Sequence, residues 1–457
     1  MPINGFLYPG AKFITPYEVD NSLRFDDGSS DYLSKTASAG DRRQTTISVW
    51  VKRGALGSQQ KIYNHYNSTN SEFTFYFDSD DKFNVNSYES GHQLLLTTNR
   101  LFRDVSAWYN IICAIDTDQA TDTNRAKIYV NGVQETSFAT STYPSQNADL
   151  NLNRSTSYTD NIGRRGNGSE YFDGYLTEVV LVDGTQLDAT SFGEFDEDTN
   201  IWKPKNVSGL SFGTNGFYLD FENSGSLGAD VSGNGNNFTA NNLTSVDQST
   251  DTCTNNFTTL NSLANLTGSP TFSEANLKVA GDNSANHNWQ TTFVVSSGKW
   301  YWELKDLTSS PDGSLLFYDQ SISSGSHPGF GFVLNTKKKV INGSVTGSAI
   351  GSSAQNDIWS MALDLDNGKM FIARNGTYLE SGDPANGTNP FIQTSDGLPS
   401  EGVFGGHVYN GSMQLNFGSP SFSISSGNSD GNGYGNFEYS VPSGYHALNT
   451  KNLAEYG

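Results

Sequence analysis

Apolar residues alternate with polar ones in short runs along most of this chain, and the runs are closed by Gly, Asn and Asp. "TTISVWVKRG" sets Ile47, Val49 and Val51 on one face and Ser48, Trp50 and Lys52 on the other, the pattern of a strand covered on both sides. "EFTFYFD", "KFNVNSY", "LLLTT", "WYNIICAID", "AKIYVNG" and "YLTEVVLVDG" follow at the spacing of a β-sandwich. A second series begins near residue 271 with "TFSEANLKVA" and continues through "TTFVVSSGKWYWELKD", "GFGFVLNT", "IWSMALDLDNGKMFIARNG", "GVFGGHVYNG" and "MQLNFGS". In "KWYWEL", Trp300, Trp302 and Leu304 share one face and are predicted to anchor a core. One short pattern occurs twice: "AKIYVNGVQ" near residue 127 and "GKMFIARNG" at 368–376 each run a strand into Asn-Gly, the dipeptide that best tolerates the positive φ of a type I′ hairpin. No stretch keeps an apolar stripe at helical spacing for three turns, so the predicted fold is all-β.

Between the two series the pattern fades. After "WKPK" at 202–205 the chain turns Asn/Gly-rich, most strongly in "DVSGNGNNFTANN" at 230–242, while "GFYLDFEN" at 216–223 reads as one more strand able to dock on either neighbour. The predicted organisation is an arm over 1–22, a sandwich over 23–205, a connector over 206–265, a second sandwich over 266–430 and a turn-rich tail or clasp over 431–457. The two bodies are expected to be independent, joined by an unpatterned tether and separable by proteolysis near position 240.

With 457 residues the chain exceeds what one core usually serves. Its net charge of −21, from 27 basic and 48 acidic residues, repels phosphates and argues against a nucleic-acid partner. The two cysteines, Cys113 in an apolar run and Cys253 in a Thr/Asn-rich stretch, exclude a disulfide framework. "MPINGFLYPGAKF" lacks the features of a secretory leader, and no run approaches a membrane span, so neither secretion nor membrane insertion is expected.

Candidate chemistry is sparse. Glu194, Asp196 and Asp198 in "GEFDEDTN" are the nearest approach to the paired carboxylates of a glycosidase, but Gly193, Thr199 and Asn200 around them predict a loop, and the chain is read as non-enzymatic. Asp26-Asp27, Asp78, Asp80-Asp81 and the Asp364, Asp366, Asn367 group offer clustered oxygens for calcium, yet each also reads as an Asx turn. No cofactor and no metal ligand is assigned, and the six dispersed histidines suggest no zinc site. Two loop regions combine aromatic faces with polar groups, as a neutral glycan requires. The candidate ligand-binding residues are Tyr66, Tyr88 and His92 in the first, and Asp312, Tyr318, Asp319 and His327 in the excursion over 307–329.

"SLRFDDGSSDYLSKT", "TISVWVKR", "WYNIICAID", "RAKIYVNGVQ" and "FDGYLTEVVLVDGTQL" resemble, in that order, successive strands of laminin-G-like, concanavalin-type jelly rolls. "SGKWYWELK", "GFGFV", "IWSMALDLDNGKMFIARNG" and "MQLNFG" resemble a SPRY domain. The order of parts resembles virion proteins of marine bacteriophages whose tail or capsid appendages carry lectin-like modules. That resemblance implies a virion location after synthesis in a host cytoplasm, other virion proteins as partners, a homo-oligomer such as a trimer, and a host-surface glycan as target. A purely architectural decoration protein is the alternative, and a jelly-roll glycoside hydrolase the third reading.

Overall fold

The computed structural model describes residues 17–264, 267–308, 312–320 and 327–457. Most of the arm read over 1–22 therefore falls outside the described residues. Strands dominate, with short 3-10 turns and one seven-residue helix, Thr450–Tyr456, among the described residues.

The first sandwich has two antiparallel sheets. Its back sheet is ordered Val133–Glu135, Ala126–Val130, Trp108–Asp116, Gln44–Arg53, Gly174–Asp183, Ser22–Phe25, Gln248–Ser249. Its front sheet runs Phe138–Thr142, His92–Leu101, Lys82–Glu89, Ser71–Phe77, Gln60–Ser68, Thr159–Ile162, Tyr32–Thr36, Thr239–Asn241. Period-2 alternation decides what lies between them: Ile47, Val49 and Val51 from the back sheet meet Phe73, Phe75, Phe77 and Val85 from the front. Trp50 points the other way and is buried as well, as expected for a strand covered on both faces.

The second sandwich is a single curled sheet in which the long strand Val403–Asn416 is shared. It pairs with Lys278–Gln290, with Asp312–Tyr318 and, at its far end, with Lys299–Asp306. Trp300, Trp302 and Leu304 face its core together with Trp289, Trp359, Phe404 and Phe417. The opposite face of the same strand is covered by the C-terminal residues. Phe437 and Tyr445 pack on Tyr301 and Phe371, and Glu303 accepts hydrogen bonds from Glu438 N (3.0 Å) and Tyr439 N (2.8 Å).

The twice-used hairpin is the same device both times. Asn131 and Gly132 take φ of 47° and 78°, Asn375 and Gly376 46° and 75°. Each Asn side chain then accepts from a neighbouring strand, Asn131 Oδ1 from Asn110 N (2.8 Å) and Asn375 Oδ1 from Ile358 N (2.9 Å). Each Gly also lies under an aromatic ring: an added Cβ would sit 2.3 Å from Trp202 at Gly132 and 2.6 Å from Tyr439 at Gly376.

The stretch read as a connector is instead woven into the first sandwich. Phe217–Leu219 pairs with the strand Gly174–Asp183, Thr239–Asn241 extends the front sheet along Tyr32–Thr36, and Gln248–Ser249 extends the back sheet along Ser22–Leu23. Nor are the two bodies independent. Lys52 and Asp251 form a buried pair 2.7 Å apart, and Lys52 Nζ also donates to Phe257 O (2.9 Å). Arg24 Nη1 donates to Pro420 O (2.9 Å), Asn276 Nδ2 to Gly54 O (2.9 Å), and the Ser249 and Ser419 hydroxyls meet at 2.6 Å. Trp50, Trp108 and Tyr175, on the outer face of the back sheet, belong to one buried apolar cluster with residues of the second sandwich. The strand read at 216–223 is present as Phe217–Leu219, docked on the first sandwich; the two others, of two or three residues, leave no periodicity to read, and the polar residues of this stretch make specific hydrogen bonds rather than a solvated tether.

Candidate functional site on the front sheet

Residues directly opposite one another on paired strands point to the same side. The registers Tyr66↔Glu72, Glu72↔Tyr88 and Tyr88↔His92 therefore align four side chains in one row across the outer face of the front sheet. At about 4.8 Å per strand, the two tyrosines stand about 10 Å apart with a carboxylate between them. The adjacent row is amide-rich: Asn161, Asn64, Thr74 and Asn86 face each other in turn. Tyr66, Tyr88 and Asn86 are half-buried and His92 is exposed.

Each of these side chains is held in place. Tyr88 and His92 meet edge to face at 5.1 Å, and the His92 Nδ1 position lies 2.8 Å from Asn86 Oδ1. The segment 163–171 folds over one end of the face. There Arg165 pairs with Glu72 and, at 3.1 Å, with Glu170, while Gly166 N donates to Asn64 Oδ1 (2.8 Å). Gly166 lies against Tyr66, where an added Cβ would come within 2.5 Å of the ring. Nearby, Arg164 stacks 3.4 Å over the Tyr32 ring and Lys61 3.3 Å over Tyr76. The Thr74 hydroxyl, buried at the centre of this face, has no hydrogen bond among the described residues. Aromatic faces beside planar amides and a fixed carboxylate suit a polyhydroxylated ligand: its C–H surfaces stack while its hydroxyls find donors and acceptors.

The structure thus brings Tyr66, Tyr88 and His92 together. Reading the loops alone missed Glu72, Asn64, Asn86 and Arg165. Glu72 was within reach, because Glu72, Thr74 and Tyr76 alternate with core phenylalanines; Arg165 was not, because it comes from a turn about 90 residues away.

The second candidate set separates. Tyr318 is 0% exposed and its hydroxyl donates to Trp289 O (2.9 Å), so it is a core residue and leaves the set of ligand-facing side chains. Its strand runs on from Asp312 with alternate residues inward, which the loop reading of 307–329 did not register. Asp319 is exposed at the end of that strand, whereas residues 309–311 and 321–326 lie outside the described residues. Asp312 and His327 do converge, at His407. Asp312 Oδ1 lies 3.4 Å from His407 Nε2 and accepts from Asn335 Nδ2 (2.7 Å), while the His327 and His407 rings meet at 4.3 Å. Burial and the neighbouring His327 push His407 down to about 4, so its ring is neutral at pH 7. Ser314 Oγ lies 2.8 Å from His407 Nδ1, but it is fully buried and also accepts from His407 N (3.0 Å). That arrangement packs a core rather than exposing a nucleophile.

Several of the remaining carboxylates accept hydrogen bonds that close turns. Glu194 is exposed on the hairpin Gly193–Phe195/Trp202–Pro204, and Asp196 Oδ1 accepts from Thr199 N (3.0 Å) and Asp198 N (3.2 Å), a closed turn. Asp78 and Asp364 likewise accept from backbone N–H groups two to four residues ahead. Asp26, Asp27 and Asp173 bring carboxylate oxygens within 4.8 Å of one another. Burial, then Asp27 and Asp26, push Asp173 well above the usual carboxylate range.

A bulge between Thr177 and Val180 turns Glu178 into φ of 50°, off the ladder. Its buried carboxylate accepts from Tyr218 Oη (2.7 Å) and from Tyr17 Oη (3.1 Å), where the arm joins the sandwich. Burial pushes Glu178 up to about 7. The folded state then holds a proton that the unfolded chain releases near pH 4.5, so this group's stabilisation is lost as pH rises from about 4.5 through 7. Glu178→Gln should remove that loss. In denaturant titrations its stability relative to wild type should climb by up to about 3 kcal/mol between pH 4.5 and 8, and a pH-independent difference would refute the assignment.

Residues 27–189 match the model of the concanavalin A-like lectin/glucanases superfamily, a laminin-G family. No curated protein matches the sequence. Among solved structures, the chain is similar to a heptameric SAP-like pentraxin from Limulus polyphemus, with 16% identity and a TM-score of 0.28 over 37% of this chain and 78% of that one. It is similar to the SPRY domain of human HERC1, with 12% identity and a TM-score of 0.25 over 30% and 87%. It is also similar to the CBM40 of Ruminococcus gnavus IT-sialidase bound to α2,3-sialyllactose, with 15% identity and a TM-score of 0.24 over 35% and 85%. The family match lies on the two-sheet body that carries the Tyr66 to His92 row, and this first sandwich is a concanavalin A-like domain.

Proposed function

We propose that the protein is a non-enzymatic glycan-binding component of a bacteriophage particle, a tail fibre or capsid appendage that engages host-surface saccharides. The observation that carries the binding part is the row Tyr66, Glu72, Tyr88 and His92 beside an amide row on one sheet face. The virion part rests on the resemblance in the order of parts, and a tagged copy followed through virion fractionation tests it. Several copies on one particle, for instance in a trimer, raise avidity by about 10² to 10⁴ where geometry lets them engage together, so weak single-site binding suffices.

The binding test is a glycan array probed with the full chain, since the halves interlock. Tyr88→Ala should weaken the strongest hit about tenfold, the effect of roughly 1.4 kcal/mol of lost ring contact, while Tyr88→Phe should retain it. Silence of the folded wild type across the array, with stable particle assembly, refutes the reading. One observation favours the architectural alternative: the Arg165 ion pairs with Glu72 and Glu170 already occupy one end of the face.

A further inference from the structure

Lys52 lies on the outer face of the back sheet and is the least exposed lysine among the described residues. Its Nζ donates to Asp251 Oδ2 (2.7 Å), to Asn256 Oδ1 (2.7 Å) and to Phe257 O (2.9 Å). The side chains of Lys52 and Asp251 are each 1% exposed, and the buried rings of Trp108, Tyr175 and Phe257 surround them, with Nζ 5.6 Å from the centre of the Tyr175 ring. Trp108 Nε1 (3.1 Å) and Phe257 N (3.3 Å) hold Asp251 Oδ1, which leaves Oδ2 to Lys52. Asn256 Nδ2 donates to Ser106 O (2.6 Å), which fixes the plane of the amide.

An ion pair needs only the carboxylate, and here an amide stands beside it. A neutral lysine nitrogen is a nucleophile, Asn256 Cγ is an acyl carbon carrying a displaceable nitrogen, and a carboxyl on the same lysine can carry protons between them. Cγ lies one carbonyl bond of about 1.23 Å beyond Oδ1, so Nζ stands within about 4 Å of it, close to the roughly 3–3.5 Å of a reacting pair. Burial favours the uncharged form of both ionisable partners, pulling the Lys52 ammonium down and pushing the Asp251 carboxyl up. A proton moved from nitrogen to oxygen leaves the amine ready to attack.

We propose that Lys52 and Asn256 join in an intramolecular isopeptide bond, with Asp251 as the proton carrier. The ammonium first gives one proton to Asp251. The neutral Nζ then bonds to Asn256 Cγ, the carboxyl delivers its proton to Nδ2 and takes one from Nζ, and the Cγ–Nδ2 bond breaks to release ammonia. Asp251 ends as it stood when the attack began. Nothing is oxidised or reduced, and no co-reactant is needed. The link joins residues 204 positions apart, tying the back sheet to the chain that enters the second sandwich and restricting the unfolded chain. Until it closes, the buried ion pair remains, and stability differences set by its charges are read on that unlinked form. The inference is independent of glycan binding.

Intact-mass spectrometry of the purified full chain, followed by peptide mapping, tests the link. The expected wild-type mass is short by one ammonia, and tryptic digestion should yield one branched peptide that joins the segments around Lys52 and Asn256. Lys52→Met and Asn256→Ala should each keep the full mass of their sequence. In cell-free synthesis sampled over time, Asp251→Asn with a native circular dichroism spectrum should link about 10²-fold or more slowly than wild type. Folded wild type that stays at full mass after prolonged incubation overturns the proposal, whatever the variants do. So does an ammonia loss that persists in Lys52→Met, which would assign it to Asn256 closing on its own backbone. Equal linkage rates in wild type and Asp251→Asn overturn the role of Asp251.

Discussion

Replacing Asp251 by alanine should destabilise the protein by about 3–5 kcal/mol, the cost of leaving a buried charge without its partner. Lys52 Nζ lies 2.7 Å from Asp251 Oδ2, and both side chains are 1% exposed. The carboxylate also accepts from Trp108 Nε1 (3.1 Å) and Phe257 N (3.3 Å), so one group ties two strands of the first sandwich to the chain leading into the second. Burial pulls the Lys52 ammonium down and the Asp251 carboxyl up, and their mutual attraction opposes both. Alanine removes the attraction and leaves the ammonium on two neutral acceptors, Asn256 Oδ1 (2.7 Å) and Phe257 O (2.9 Å). Lys52→Met combined with Asp251→Leu strands no charge and should recover more than half of the loss. Denaturant titration of unlinked wild type, Asp251→Ala and the double variant measures both effects. A loss below about 1 kcal/mol for Asp251→Ala would mean that Lys52 reaches water and that the halves part there.

The second large effect concerns the core of the second sandwich. Trp302 is 0% exposed, stacks near Phe417 at 5.3 Å, and meets Phe404 at 5.8 Å and Trp289 at 6.2 Å. Trp302→Ala should cost about 3–5 kcal/mol, because rings held on three sides collapse only in part into the space. The indole N–H of Trp302 has no hydrogen bond among the described residues, so it adds little. Trp302→Phe should therefore cost less than half as much as alanine. Equal losses for the two variants would show that the N–H, rather than the ring volume, holds the site.

Both sites show what the sequence makes legible. Alternation is local, so the inward faces of "EFTFYFD" and "KWYWEL" were readable, as were the Asn-Gly turns, whose positive φ at Asn131 and Asn375 is a property of the dipeptide. Pairing is not local. The register that lines up Tyr66, Glu72, Tyr88 and His92 depends on bulges near Ser68 and Ser87 that no period-2 pattern announces. His407 joins Asp312 across about 95 residues, and Glu178 leaves its ladder at a bulge inside an otherwise regular run. The connector read over 206–265 was the largest miss. Its strand Phe217–Leu219 lies inside the strand read at 216–223, but Thr239–Asn241 and Gln248–Ser249 are too short to carry a pattern, and their hydrogen-bond partners lie up to about 230 residues away.

The central claim is that the two sandwiches and the stretch between them form one interlocked body that presents the front face. Backbone hydrogen exchange tests it most directly. The amides that Phe217–Leu219, Thr239–Asn241 and Gln248–Ser249 give to their sheets should exchange as slowly as those of the back-sheet strand Gly174–Asp183. Exchange of these amides at loop rates, with protease cleavage near residue 240 releasing two folded halves, would contradict it.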